Sequence, residues 1–287
     1  MRVGYLGPEG TNSDEASRLY LKKLEGKVEL IPFSTIHDVI LAADRGRIDE
    51  AIVPIENSIE GTIGIVTDLL VKEVNLVVRQ ELVNQISHYL IAPKGVTLGQ
   101  VTDVISNPQI LDQCKDYLRR KLPKAKLHLA YSSAQAVEQV AFSIGEKIGV
   151  QAHSKRNIFA AIGTETSARF FGLKVLAKKI NAHDNQTRFV VLAKKDHPRT
   201  GKDKTSIVFS IAADRPGGLH DVLSEFAIRD INLTKIESRP SKRALGDYYF
   251  FVDMQGHRED KIIADALREI KRKASFLKLL GSYPRAK

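Results

Sequence analysis

The residues able to do chemistry fall into four polar clusters: GPEGTNS (7–13), ENSIEGT (56–62), SNPQILDQC (106–114) and DNQTRF (184–189). Hydroxyls and amides dominate all four, a composition that binds and polarises an anion rather than activating a nucleophile. In the first, a glycine-containing turn offers free backbone N–H groups with the hydroxyls of Thr11 and Ser13; it reads either as a carboxylate or phosphate cradle or as a turn with a helix cap. In the second, Asn57, Ser58 and Thr62 surround Gly61, either as an anion-binding turn with an amide donor or as a loop capping its own backbone. Glu56 at a strand end invites the role of acid or base, and equally that of an orienting or structural group. In the third, Pro108 suits a first helical turn, so Ser106 or Asn107 is the cap, and Gln109 and Gln113 share one helix face. In the fourth, alternation points Thr187 and Phe189 to one side of a strand and Arg188 to the other.

The elements that must position these groups alternate in kind. VGYLG (3–7) reads as a strand and 13–24 as a helix capped by Ser13; VELIPF is a strand, and 35–46 is a helix ending at Gly46. Strand EAIVPI, helix TIGIVTDLLV and strand LVVRQEL follow, implying a largely parallel, layered α/β sheet. A second such unit starts near residue 84, with one helix over PQILDQCKDYLRRKL, and TRFVVLAKK is a strand that could return to either lobe. Two α/β lobes with a cleft between them make a common small-molecule site. The charged segment 194–205 reads as a linker. Beyond it the order βαββαβ predicts a ferredoxin-like sandwich.

Composition narrows the function classes. The chain has 287 residues, 27% of them charged, and a formal net charge of +10. Lysines and arginines are scattered, and the densest run, REIKRKA (268–274), reads as the solvated face of a helix, so neither nucleic acid nor membrane is an expected partner. A single cysteine, Cys114, fits a reducing, cytoplasmic setting, and the eight histidines lack HxxxH or HExxH spacing; no metal site is expected.

GPEGTNS, VPIENSIEGT, SNPQILDQC and NQTRF, followed by GGLHDVL, INLTKIESRP and LGSYP, together resemble prephenate dehydratase with a C-terminal ACT regulatory domain across nearly the whole chain. The resemblance implies a catalytic region over 1–195 with the two-lobed fold of type 2 periplasmic binding proteins, its second lobe spanning roughly 84–180, then a linker at 196–204 and an ACT domain over 205–287. It implies loss of carbon dioxide and water from prephenate without a cofactor, in phenylalanine synthesis. Catalytic roles fall on Thr187, Asn57, Ser106, Gln109 and Gln113, with Thr11, Ser13, Ser58, Thr62, Arg188 and Phe189 around the substrate. It also implies a phenylalanine effector site between ACT domains, using Gly217, Gly218, Leu219, His220, Asn232, Glu237, Ser238, Arg239 and Pro240, and hence a homodimer or homotetramer. The chain departs from the family at Asn12 (usually Phe), Asn107 (usually His) and GGLH (usually GALV), and the stretch 144–158 is longer than usual.

Hydroxide leaves only with a proton or strong hydrogen bonds, so Thr187 is assigned to donate to the departing oxygen. The departing ring carboxylate suits uncharged donors; the surviving side-chain carboxylate suits helix N-termini or Arg188, which otherwise forms a structural ion pair. Two other readings stay open: the same chemistry on arogenate, whose amino group needs an acceptor, and a non-catalytic amino-acid sensor.

Overall fold

The computed structural model describes residues 1–142, 157–181, 184–211, 216–242 and 246–286; the stretch 144–158 therefore lies almost wholly outside the described residues. The first sheet contains β1 (Arg2–Leu6), β2 (Glu29–Phe33), β3 (Glu50–Asn57), the two-residue β4 (Gly61–Thr62), β5 (Val77–Ile86) and, from far along the chain, β11 (Asn185–Ala193). Its order is β2-β1-β3-β11-β5, with β4 on β3. Residues 51–54 of β3 are all buried, as expected of a strand covered on both faces. Helices α1 (Asn12–Leu21), α2 (Ile36–Asp44) and α3 (Gly64–Lys72) flank this sheet. The sheet is mixed, not largely parallel: β11 returns from the second lobe and pairs antiparallel with both β3 and β5.

The second sheet, order β10-β6-β9-β7-β8, is also mixed. It comprises β6 (Tyr89–Ala92), β7 (Asp103–Ser106), β8 (Lys126–Leu129), β9 (Phe159–Gly163) and β10 (Lys174–Ala177), with β7 parallel to β8 and β9, and β6 antiparallel to β9 and β10. The chain crosses between lobes at 86–89 and again at 177–185. The one helix expected over 108–122 is two, α4 (Pro108–Gln113) and α5 (Lys115–Lys121), broken where Cys114 turns to φ −103°, ψ 4°. Burial pushes the Cys114 thiol up to about 12, so it packs as an inert apolar group. Helices α6 (Ser133–Phe142) and α7 (Glu165–Phe170) complete the lobe.

The C-terminal unit is the expected βαββαβ sandwich: β12 (Asp203–Ile211), α8 (Gly218–Ala227), β13 (Leu233–Pro240), β14 (Tyr248–Gln255), α9 (Lys261–Lys273) and β15 (Ala274–Pro284), in one antiparallel sheet of order β13-β14-β12-β15. In α9, Ile263, Ala266 and Ile270 face the core while Lys271, Arg272 and Lys273 lie in solvent at the negative end of the helix dipole, so the REIKRKA run is a solvated face. The segment read as a linker is tied down: Ser282 N donates to Asp196 (3.0 Å) and His197 N to Ser282 O (3.1 Å).

The uncovered face of this sheet packs on the first lobe. Val208, Tyr249, Phe251, Leu280 and Tyr283 share one core with Val78, Val190 and Leu192. At the contact Gly281 holds φ +137°, and a Cβ there would lie 2.3 Å from the carbonyl oxygen of Val78. Backbone cannot yield as a side-chain tip can, so Gly281→Ala is expected to cost about 2–3 kcal/mol. A urea midpoint within error of the parent would contradict that contact.

Candidate functional site

A cleft of about 320 Å³ opens between the lobes, bordered from the first by residues 11–13, Asn57, Glu60, Thr187 and Phe189 and from the second by Asn107, Gln109, Gln113 and Ser133. Helix starts converge on it. The cap of α1 is Thr11, not Ser13: Thr11 is the extended residue (φ −82°, ψ 168°), and its Oγ1 accepts from Asp14 N at 3.3 Å. The Asp14 carboxylate reaches back in turn, accepting from Gly10 N at 3.0 Å, so the turn is tied to the first helical residues from both sides. Asn107 caps α4, its Oδ1 accepting from Ile110 N at 2.9 Å.

Strand pairing builds the centre. β11 and β3 lie side by side, with Thr187 opposite Asn57 and Arg188 opposite Glu56. The next pair is Phe189 with Pro54, so Ile55 is an extra residue. This bulge lets Pro54 and Asn57, three apart, both border the cleft. Asn57 Oδ1 accepts from the backbone N–H groups of Ile59 (2.9 Å) and Glu60 (3.0 Å), which fixes the orientation of its amide. Its Nδ2 must then donate, to Thr187 Oγ1 at 2.8 Å and to Asn185 Oδ1 at 2.6 Å. Thr187 is buried, and its hydroxyl, having accepted from Asn57, has its proton to give.

Across the cleft, Gln113 Oε1 accepts from Asn185 Nδ2 at 3.0 Å and lies 3.0 Å from His88 Nε2. Since Oε1 can only accept, His88 holds its proton on Nε2. Burial depresses the pKa of His88, so the ring is neutral. Gln113 Nε2 (3.3 Å) and Gln109 Nε2 (3.1 Å) both donate to Glu60, which thus bridges the lobes. Among the described residues bordering the cleft there is no lysine or arginine, and Glu60 is the one carboxylate.

The structure therefore brings together Thr11, Ser13, Asn57, Gln109, Gln113, Thr187 and Phe189. It places the other expected site residues elsewhere. Ser106 is fully buried and its hydroxyl donates to Ile162 O at 2.9 Å, because it ends a central strand instead of standing in the loop. Ser58 Oγ accepts from Gln186 N at 2.9 Å, stitching loop to strand. Thr62 belongs to β4, not to the helix expected to start there; it donates to Glu237 at 2.5 Å and accepts from Lys235 at 2.8 Å. Arg188 points to the opposite side of β11 from Thr187, into carboxylates: Asp253 at 2.6 Å, Glu81 at 2.8 Å and Glu56 at 3.5 Å. Burial works against that charge, but Tyr283, Asp253 and Glu81 more than reverse the effect and raise its pKa. Glu56 also pairs with Lys235 at 3.2 Å, so it faces the C-terminal unit.

Asn185, His88, Glu60 and Ser133 went unmarked in the sequence. Asn185 was findable, two residues before Thr187 and so on the same face; His88 stands alone in sequence and carries no spacing signal.

The expected effector residues divide. Gly217 caps α8 at φ +81°, Gly218 is buried, Leu219 packs into the sandwich core and His220 is exposed. Because β12 and β13 are both antiparallel to β14, this loop and Pro240 lie at the same end of the sheet. Along β13, Ser238 and Pro240 are exposed, while Glu237 and Arg239 turn toward the first lobe, at Thr62 and at Asp68 (3.8 Å). Asn232 sits ahead of the strand, its carbonyl accepting from Gln255 N at 2.9 Å.

A family model described as prephenate dehydratase matches residues 3–197, and one described as ACT domain matches 205–272. A prephenate dehydratase of Methanocaldococcus jannaschii is 37% identical, over 98% of this chain and 97% of that protein. A chloroplastic arogenate dehydratase/prephenate dehydratase of Arabidopsis thaliana is also 37% identical, over 99% of this chain and 73% of that one. The crystal structure of a prephenate dehydratase from Arthrobacter aurescens in complex with L-Phe superposes with a TM-score of 0.85 at 31% identity, covering 99% of this chain and 90% of that one.

Proposed function

Because the chain belongs to the prephenate dehydratase family and carries an ACT domain beyond the catalytic region, we propose that the interlobe cleft converts prephenate to phenylpyruvate, carbon dioxide and water, with Thr187 donating to the leaving hydroxyl. The observation that carries this reading is the locked Asn57–Thr187 pair in a cleft of uncharged donors. Two backbone N–H groups polarise Asn57, Asn57 donates to Thr187, and the threonine hydroxyl becomes a stronger donor along that chain. The ring that forms is aromatic, so the substrate supplies the driving force and the protein supplies preorganised hydrogen bonds. The departing carboxylate loses its charge as carbon dioxide forms, and a cleft without a cation does not hold it back. The surviving carboxylate fits the N–H groups at the start of α1, near Thr11 and Ser13. Gln109 and Gln113 orient the ring from the second lobe.

The ACT domain binds L-phenylalanine near Gly217–His220 and Ser238–Pro240, with a second copy of the chain completing the site, so a dimer or tetramer is the working form. Phenylpyruvate formation from prephenate, with and without added L-phenylalanine, is the test. Binding of either ligand without product would establish the sensor reading instead.

One observation favours a second substrate. The amino counterpart, arogenate, needs an acceptor for its ammonium group, and Glu60 places a carboxylate in the cleft. Glu60→Gln is therefore expected to lower kcat/KM on arogenate about tenfold while leaving prephenate turnover equal or higher. Parallel losses on both substrates would remove Glu60 from any role in discrimination.

A further inference from the structure

Thr187 and Asn57, which face the cleft, are each bonded through the backbone to a residue facing the opposite way. Arg188 follows Thr187, Glu56 precedes Asn57, and the two pairs stand opposite each other in adjacent strands. On that far side the C-terminal unit closes a ring of hydrogen bonds on Arg188. Its Nη1 donates to Asp253 Oδ2 at 2.6 Å and its Nη2 to Tyr283 Oη at 2.7 Å. Tyr283 Oη lies 2.5 Å from Ser206 Oγ, and Ser206 Oγ donates to Asp253 Oδ1 at 2.5 Å. Having given its proton to Asp253, Ser206 must accept from Tyr283, so every link in the ring has one direction. The first lobe contributes Glu81, whose Oε2 is 2.8 Å from Arg188 Nε in an ion-pair contact without hydrogen-bond geometry. Lys204 of the C-terminal unit reaches the same Glu81 oxygen at 2.9 Å.

From this geometry we infer that Arg188 is a positioning residue, through which the ACT sheet fixes the segment of β11 carrying Thr187. The inference rests on the catalytic assignment of Thr187. Asp253, Ser206 and Tyr283 sit on three different strands of the ACT sheet, β14, β12 and β15, so any shift of that sheet relative to the first lobe pulls on one guanidinium. The guanidinium is planar and forked, so it transmits direction as well as distance. A displacement at Arg188 reaches the Thr187 hydroxyl through one peptide unit, and donor geometry at the leaving oxygen is sensitive to fractions of an ångström. A second link runs in parallel through Lys235, which joins Glu56, Thr62 and Glu237.

The experiment leaves Arg188 in place and alters its ACT partners in the full chain. Tyr283→Phe keeps the packed ring and removes only the oxygen; Asp253→Asn keeps the shape and removes the charge. The expected result is a five- to tenfold fall in kcat on prephenate with KM changed less than twofold, in variants whose circular dichroism matches the parent. The response of turnover to L-phenylalanine is expected to shrink in the same variants. Folded variants with parental kcat would overturn the inference, as would equal loss through KM alone. If Asp253→Asn does not fold, Tyr283→Phe decides by the same criteria. A parent enzyme that makes no phenylpyruvate would instead sink the catalytic assignment, and a parent indifferent to L-phenylalanine would sink the regulatory one, with the kcat comparison still deciding the role of Arg188.

Discussion

Thr187→Val is expected to lower turnover of prephenate by about 10²–10³-fold, the scale on which one preorganised donor to a developing oxyanion acts. Valine keeps the β-branched shape that suits the middle of β11, so the strand and its pairing with Asn57 persist. The hydroxyl is all that goes. Substrate orientation by the start of α1 and by the glutamines is untouched, which puts the loss in kcat and leaves KM within a fewfold of the parent. Asn57 Nδ2 keeps its bond to Asn185 Oδ1, and the N–H released from Thr187 lies on a half-buried side chain bordering the cleft, where water can accept it, so the thermal midpoint should hold. Steady-state assay of the folded variant checks this; turnover within tenfold of the parent would take Thr187 out of the chemistry.

Arg188→Met is expected to have its large effect on stability. The side chain is 13% exposed and its partners Asp253 and Glu81 are 9% and 3% exposed, so the variant leaves carboxylates in a site that water scarcely reaches. Glu81 still has Lys204, but Asp253 is left with Ser206. Removing one member of such a cluster costs about 3–5 kcal/mol. Urea unfolding measures it, and a loss below about 1 kcal/mol would show that the ring of hydrogen bonds around Arg188 is not holding the two units together. For the same reason a loss of activity in this variant says little about catalysis, which is why the partners and not the arginine are the informative substitutions.

What was legible in the sequence followed periodicity and chain order. The βαββαβ unit came through because its two amphipathic helices and alternating strands obey simple periods, and the helix read over 35–46 matches α2, whose cap is Thr35. The two-lobed fold followed from the resemblance and from alternating elements. What failed needs partners that are distant in sequence. That the first sheet is mixed depends on β11 inserting between β3 and β5, which no local pattern encodes. The break at Cys114 is a local backbone turn inside an uninterrupted helical pattern. Among site residues, Asn57 and Thr187 are marked only by the resemblance, since taken alone their stretches read as a self-capping loop and a strand start; Ser106, marked in the same way, has its hydroxyl committed to Ile162. Arg188 was placed on the correct side of its strand by alternation alone; what waited there, an ACT-domain aspartate and tyrosine, was beyond the reach of period-two reasoning.

The pairing of Thr187 with Asn57, and of Arg188 with Glu56, makes β11 and β3 a party wall between two rooms. With Thr187 as the proposed donor and Arg188 as the proposed positioning residue, one face furnishes the reaction and the other the regulatory contact, and the same count of residues sets both. Deleting a single residue just ahead of Thr187 would exchange the occupants, driving a guanidinium into the reaction chamber and a hydroxyl into the ionic ring. Length variation is therefore barred from this stretch even where individual side chains can vary. Change in substrate or in control has to come by substitution within one face at a time, with the other face held in step.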